Sequence, residues 1–248
     1  MAFLFKIHSL SAGYGTDVVL QDVELTVSQN DFIGVIGPNG GGKTTLLKVI
    51  LGLIKPQKGT IDFNYSILRQ NRIGYLPQMS AGDNTFPVTV TDVVLSGLMI
   101  QKGIVARMSV EDRKRAKVVI DELGLNGIKK SPLTELSGGQ LQRVFLGRAI
   151  IGAPELLLLD EPDNFVDTSF ENDFYEKLHQ LNERMAILLV SHDVGTISSH
   201  VKSFACVNRK LHYHASPEIT NEQLSAYDCP IQLVTHGKVP HTVLEKHD

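Results

Sequence analysis

The sequence predicts an α/β fold with an N-terminal antiparallel β region and an inserted α-helical subdomain. Three observations carry this expectation. Short β-prone runs alternate with segments of helical periodicity. Two runs, residues 156–159 and 185–190, are continuously apolar, as strands buried on both faces are. Residues from about 88 to 151 read as one helical block.

In chain order, residues 2–8 and 18–27 read as strands around a turn at Gly13 to Gly15. Residues 32–36 are apolar and β-prone and lead straight into a glycine-rich loop. From Lys43 to Leu53 the apolar positions Leu46, Leu47, Ile50 and Leu51 recur at helical spacing. Residues 55–59 form a turn and 60–65 another strand. Within the helical block, Ser109 with Asp112 approximates a capping pattern. Ala116, Val119, Ile120 and Leu123 then line one face, and Gly124 is the stop. After the 156–159 strand, Thr168 with Glu171 predicts a capping box, and Phe170, Phe174, Leu178 and Leu181 fall on one helical face.

The chain has 248 residues, and its hydrophobic content of 42% is enough for a sizeable core. A formal charge of −3 offers nucleic acid no basic face, so none is expected as a partner. Cys206 and Cys229 make no disulfide framework, which points to a reducing compartment. Residues 1–7 are too short for a signal peptide, and no apolar stretch approaches the ~20 residues of a spanning helix. Any work at a membrane is expected to go through a partner.

The run Gly37-Pro-Asn39-Gly40-Gly-Gly42-Lys43-Thr44, followed by Thr45, fits the G-x-x-x-x-G-K-[ST] phosphate loop, after a strand and before a helix. A glycine-rich loop lets successive N–H groups face phosphate oxygens, and the helix N-terminus adds a favourable field. Lys43 would reach the β and γ phosphates of ATP and Thr44 would offer its hydroxyl to Mg²⁺. At the end of the 156–159 strand, Asp160 is placed to serve the metal and Glu161 to act as general base on the attacking water. Two acids at a strand end are often only a helix cap. Their pairing with the phosphate loop favours the site, and a P-loop NTPase core.

The segment Leu136-Ser137-Gly138-Gly139-Gln140 narrows the field. Together with the phosphate loop and Leu156-Leu-Leu-Leu-Asp-Glu-Pro162, in this order, it resembles the ATP-binding-cassette (ABC) ATPases over about residues 3–225. The resemblance implies that the signature loop of one subunit, through Ser137, Gly139 and Gln140, covers the γ-phosphate held by the other. With one phosphate loop and one signature per chain, a head-to-tail homodimer with two ATP sites follows. Tyr14 matches the aromatic that stacks on adenine, Gln78 the glutamine at Mg²⁺ and the attacking water, and His192 the γ-phosphate histidine. Asp167 matches the acid facing the other subunit.

Three departures stand out against that family. Gly41 replaces the usual serine or alanine, which adds flexibility while keeping the backbone donors. Residues 163–167 replace the commoner Thr-Ser-Ala-Leu-Asp and include the bulky Phe165. Thr168 replaces a common proline.

In transporters of this family a partner helix docks near Gln78, here about residues 80–99, where Phe86, Pro87 and Val88 supply apolar contacts. Internal packing of those three residues is an equal alternative. Lys43 and Ser137 stand too close along the chain for the coiled coil of the DNA-repair relatives, and a second cassette, as in translation-type relatives, is absent. Six of the nine histidines lie from His200 onward: His200, His212, His214, His236, His241 and His247. Residues 226–248 are expected as a separate histidine-containing tail after a 1–225 ATPase domain. That tail and the 163–167 loop resemble the ATPases of zinc and manganese importers. The histidine spacings fit no standard zinc motif, so the tail supports the subfamily and not a metal site.

The resemblance therefore implies an ATPase at the cytoplasmic face of a membrane. Its partners would be an integral membrane permease and a periplasmic or surface metal-binding protein, and its cargo zinc or manganese. A soluble relative such as an iron–sulfur cluster assembly ATPase, or an importer subunit for a non-metal cargo, is the alternative.

Overall fold

The computed structural model describes residues 2–68, 72–78, 88–103, 106–162, 168–216, 231–235 and 240–244. In chain order the elements are β1 (Phe3–Tyr14), β2 (Asp17–Ser28), β3 (Phe32–Ile36), α1 (Lys43–Ile50), β4 (Lys58–Phe63), β5 (Ile73–Leu76), α2 (Val90–Ser96) and α3 (Met99–Lys102). They continue with α4 (Val110–Glu122), α5 (Gly138–Ile150), β6 (Leu156–Asp160), α6 (Thr168–Asn182), β7 (Ala186–Val190) and α7 (Val194–Ser198). Last come β8 (Ser203–Asn208), β9 (Lys210–His214), β10 (Ile231–Thr235) and β11 (Pro240–Leu244). The chain forms two compact units, Met1–Leu68 with Ala186–Asp248, and Arg69–Met185.

In the first unit, β1 lies between β2 and β4 and is antiparallel to both. Strand β2 buries Val23, Leu25 and Val27 and exposes Asp22, Glu24 and Thr26, the period-2 pattern of a sheet with one wet face. Strand β1 outruns the expected end at residue 8. A register shift between Ile7 and Leu10, with Ser9 at φ 42°, absorbs an extra residue and returns Leu10 and Ala12 to the buried face. The tight turn therefore falls at Gly15 and Thr16, which leaves Tyr14 as the strand's last residue. Strand β4 starts at Lys58, two residues early, because Ser11 of β1 already pairs with it there.

A second sheet in this unit places β3 between β7 and β8, all parallel, with β9 antiparallel to β8. Every residue of β3 and β7 is buried, as two-sided burial requires. Helix α1 packs on β1 and β2, and α7 on β3. Helix α1 stops at Ile50, so Leu53 lies outside it and is exposed. Strands β10 and β11 pair as a hairpin, and β11 lies against α7. The expected tail thus contains regular structure and returns to the first unit.

In the second unit, β5 and β6 are parallel neighbours, and α2 packs against α4 and α5. Three of its helices open on capping boxes: Thr89 with Asp92, Ser109 with Asp112, and Ser137 with Gln140. Asp112 also accepts from Lys102 Nζ at 2.5 Å. That ammonium, and then the bonds from Ser109, pull its carboxyl down to about 2. Helix α4 buries Ala116, Val119 and Ile120 and stops ahead of Gly124, as the sequence predicts. Helix α6 begins at Thr168 and buries Phe174, Leu178 and Leu181. The side chains of Thr168, Phe170 and Glu171 lie outside the described ones, as does the whole of 163–167. Arg143 of α5 pairs with Asp173 of α6 at 2.7 Å. Among the described residues no helix is long and apolar enough to cross a membrane.

Candidate active site

In the first unit the predicted residues gather at the C-terminal edge of the parallel strands, where α/β sheets bind their ligands. The phosphate loop leaves β3, and His192 follows β7, its direct neighbour, with Val35 opposite Val190. Ser191 N–H donates to the Val35 carbonyl at 3.2 Å, so the chain entering His192 is stitched to the strand that feeds the loop. His192 itself is exposed. Beyond it, Asp193 caps α7 by accepting from Thr196 N–H at 3.1 Å.

The loop is held by its lysine. Lys43 is only 5% exposed, and its Nζ donates to the carbonyls of Gly37 at 2.9 Å and Pro38 at 3.1 Å. Thr44 and Thr45 occupy the first turn of α1, where N–H groups have no intrahelical partner and the helix dipole favours an anion. Gly37, at φ 148°, has the Val207 carbonyl where a Cβ would stand. Asn39 and Gly40 form the exposed tip. Gly42 is the N-cap of α1, at φ 110°.

Gly41 is a correction to the sequence reading. A Cβ there would lie 2.7 Å from Val207 O and 3.0 Å from Pro38 O, and both atoms belong to the backbone. Arg209 N–H also donates to Gly41 O at 3.0 Å. The position is glycine here for want of space, and not for flexibility. Replacing Gly41 by serine is expected to cost about 1–3 kcal/mol, read as a Tm lower by about 2–12 °C. An unchanged melting curve would show that β8 yields instead.

Tyr14 is 51% exposed, and Lys48 Nζ lies 5.9 Å from its ring centroid. An exposed ring at a strand end can stack on a flat partner. A cavity of about 610 Å³ opens beside the loop, lined by Val18, Val19, Gly40, Gln57, Lys58 and Arg209 among others. Arg209 carried no signal in the sequence. It stands in the left-handed region at φ 61°, where its carbonyl accepts from Gln21 N–H at 2.7 Å.

In the second unit, β5 and β6 run side by side with Leu76 opposite Leu159, so the residues that follow them emerge together. Gln78 Nε2 donates to Glu161 Oε2 at 2.6 Å. The structure thus brings together two side chains 83 positions apart. Glu161 stands at φ 47°, a left-handed conformation costing about 1–3 kcal/mol in a residue other than glycine. Asp160 is 1% exposed, and the Tyr75 hydroxyl lies 3.4 Å from its Oδ2. Burial, and then the Asp160 charge, push the Tyr75 phenol up to about 12, so it remains a donor throughout the neutral range. Tyr75 had no signal in the sequence.

Ser137 caps α5 and is exposed, while Gly139 is buried in the first turn. Gln140 is engaged locally, since Ser137 N–H donates to its Oε1 at 3.0 Å and its own N–H donates to Ser137 Oγ at 3.3 Å. Asp167, Phe165, Phe86, Pro87, Cys229, His236 and His247 lie outside the described residues, and the side chain of His241 is undescribed. His212 and His214 lie on β9, where burial and then the neighbouring His212 lower the His214 pKa. Among the described residues, no group of three or more His, Cys, Asp or Glu side chains is arranged to hold a metal.

Thr44, Gln78 and Asp160 offer a hydroxyl, an amide and a buried carboxylate. All are hard oxygen donors, which fit Mg²⁺ and do not suit a thiophilic ion.

Comparison with known proteins agrees with this arrangement. Residues 20–164 match the ABC transporter family model. The chain is 36% identical over 224 residues to the zinc uptake system ATP-binding protein ZurA of Listeria innocua, covering 86% of each chain. It is 36% identical over 217 residues to the zinc import ATP-binding protein ZnuC of Mannheimia succiniciproducens, covering 87% of this chain and 76% of that one. A solved structure described as a metal-chelate type ABC transporter in an inward-facing conformation superimposes with a TM-score of 0.82 at 26% identity, over 99% of this chain and 97% of that one. Motif order, strand-edge geometry and kinship over most of the length converge: the chain belongs to the ABC transporter family and is one of its ATPases.

Proposed function

We propose that this chain is the ATP-hydrolysing subunit of a divalent metal importer, with zinc as cargo and manganese as the alternative. The observation that carries the hydrolytic half is the bond between Gln78 and Glu161. The names of the relatives, zinc uptake and zinc import ATP-binding proteins, support the cargo.

In this reading Tyr14 stacks on adenine. The N–H groups of the loop through Gly37, Asn39, Gly40, Gly42, Thr44 and Thr45, with the Lys43 ammonium, hold the phosphates. Thr44, Asp160 and the Gln78 amide oxygen would hold Mg²⁺, which would supply positive charge against the charge of the phosphates. Glu161 accepts the proton of the attacking water, and the Gln78 N–H fixes the rotamer from which it does so. His192 donates to the γ-phosphate. Ser137 and Gly139 of a second copy close over it, with the positive end of α5 toward the nucleotide and Asp167 facing across the dimer. Gln140 supports that closure by holding the Ser137 turn.

ATP binding closes this homodimer, and loss of the γ-phosphate contacts reopens it. The stroke is passed to a membrane permease that receives metal from a periplasmic or surface binding protein. The chain thus works at the cytoplasmic face of the membrane.

The test is uptake of labelled zinc and manganese by cells carrying the wild-type chain or Glu161→Gln, with redundant transporters removed. Selective loss of one metal identifies the cargo. Undiminished uptake of both would overturn the metal reading and favour a soluble cluster-assembly ATPase or another cargo.

A further inference from the structure

Gln142 lies in the second turn of α5, on a face it shares with the buried Leu146 and Ile150. A glutamine on such a face is costly unless its amide is bonded. It is 2% exposed, and its Nε2 donates to the carbonyl of Pro162 at 2.6 Å in buried surroundings. That carbonyl belongs to the residue directly after Glu161, whose backbone is in the left-handed region. The turn is therefore pinned on both sides. Upstream, Asp160 closes the buried strand β6, which is paired with β5. Downstream, Gln142 holds Pro162. Between the two pins the Glu161 side chain leaves the backbone in the direction that meets Gln78.

We propose that Gln142 is a positioning residue for Glu161 in its own chain, and that this bond ties the signature helix of one ATP site to the hydrolytic glutamate of the other. The second half rests on the dimer reading given above. In a head-to-tail dimer, the Ser137 that caps α5 serves the nucleotide on the partner, while Glu161 of the same chain serves its own nucleotide. Ser137 and Gln142 are joined by one rigid helical segment of about 1.5 Å rise per residue. A shift of α5 as Ser137 seats on the partner's ATP is therefore felt at Pro162, and closure at one site sets the geometry of the base at the other.

Two heterodimers built from differently tagged chains test this. In the first, one chain carries Gln142→Met with Glu161 intact, and its partner carries Glu161→Gln alone. In the second, one chain is wild type, and its partner carries both substitutions. Each holds a single working glutamate and a single methionine. The first is expected to turn over about 30–100-fold more slowly than the second, at equal ATP affinity, because only there is the working glutamate unpinned. Equal rates, or a slower second heterodimer, would overturn positioning within the chain. Gln142→Glu, which matches the side chain in size and lacks the amide donor, repeats the comparison should methionine unfold the chain. If the wild-type chain forms no ATP-dependent dimer, the link between sites falls together with the dimer reading. The kcat of Gln142→Met at unchanged KM then decides the positioning role alone.

Discussion

Replacing Glu161 by glutamine is expected to lower ATP turnover by about 10²–10⁴-fold while leaving ATP affinity within about twofold, the range for loss of a general base that does not contribute to ground-state binding. The substitution is nearly isosteric. The replacement amide can still present an oxygen to Gln78 Nε2, so the 2.6 Å contact and the turn around it survive. What is lost is an oxygen basic enough to take the water's proton. Nucleotide titration and single-turnover hydrolysis on the same preparation separate the two effects. Hydrolysis at the wild-type rate would show that Glu161 is not the base, and would leave the Gln78 contact as a structural one. A parallel fall in affinity and rate would instead mean that the acid supports phosphate binding.

Much of this site was legible in the sequence, because its parts are local. The phosphate loop needs glycines, a lysine and a hydroxyl in consecutive positions, and the strand before it and the helix after it were visible as patterns. Ser109 with Asp112 was likewise readable as a helix start. What escaped was set by chain segments far apart. The nearer of the two atoms that deny Gly41 a side chain comes from Val207. The length of β1 depends on a bulge at Ser9 that no apolar pattern announces. Gln142 did leave a trace, since it interrupts an apolar helical face four residues ahead of Leu146 and eight ahead of Ile150. A polar side chain at such a position announces a buried partner, but the identity of that partner, the Pro162 carbonyl, required the fold.

Lys43→Ala is expected to act on the other half of the cycle, weakening ATP affinity by about 10- to 150-fold, the equivalent of the about 1.5–3 kcal/mol carried by a hydrogen bond to a charged group. Its ammonium is the charged donor within the loop, and it sits almost wholly out of water, where its field on a phosphate is little screened. The same ammonium also draws the Gly37 and Pro38 carbonyls inward, so its removal loosens the curve that aims the loop's N–H groups. Lys43→Arg keeps the charge but places a planar fork where a compact ammonium fits between those two carbonyls, so it should restore little of the affinity. Equilibrium titration with ATP and with ADP is the measurement. A larger loss for ATP than for ADP is expected, because the lysine's reach extends to the γ-phosphate. Wild-type affinity in Lys43→Ala would place the phosphates elsewhere and overturn the loop assignment. Set beside Glu161→Gln, the pair divides the site along its chemistry: one variant should bind normally and turn over slowly, and the other should bind weakly. Only a site in which the loop holds the phosphates and the acid activates water gives both results.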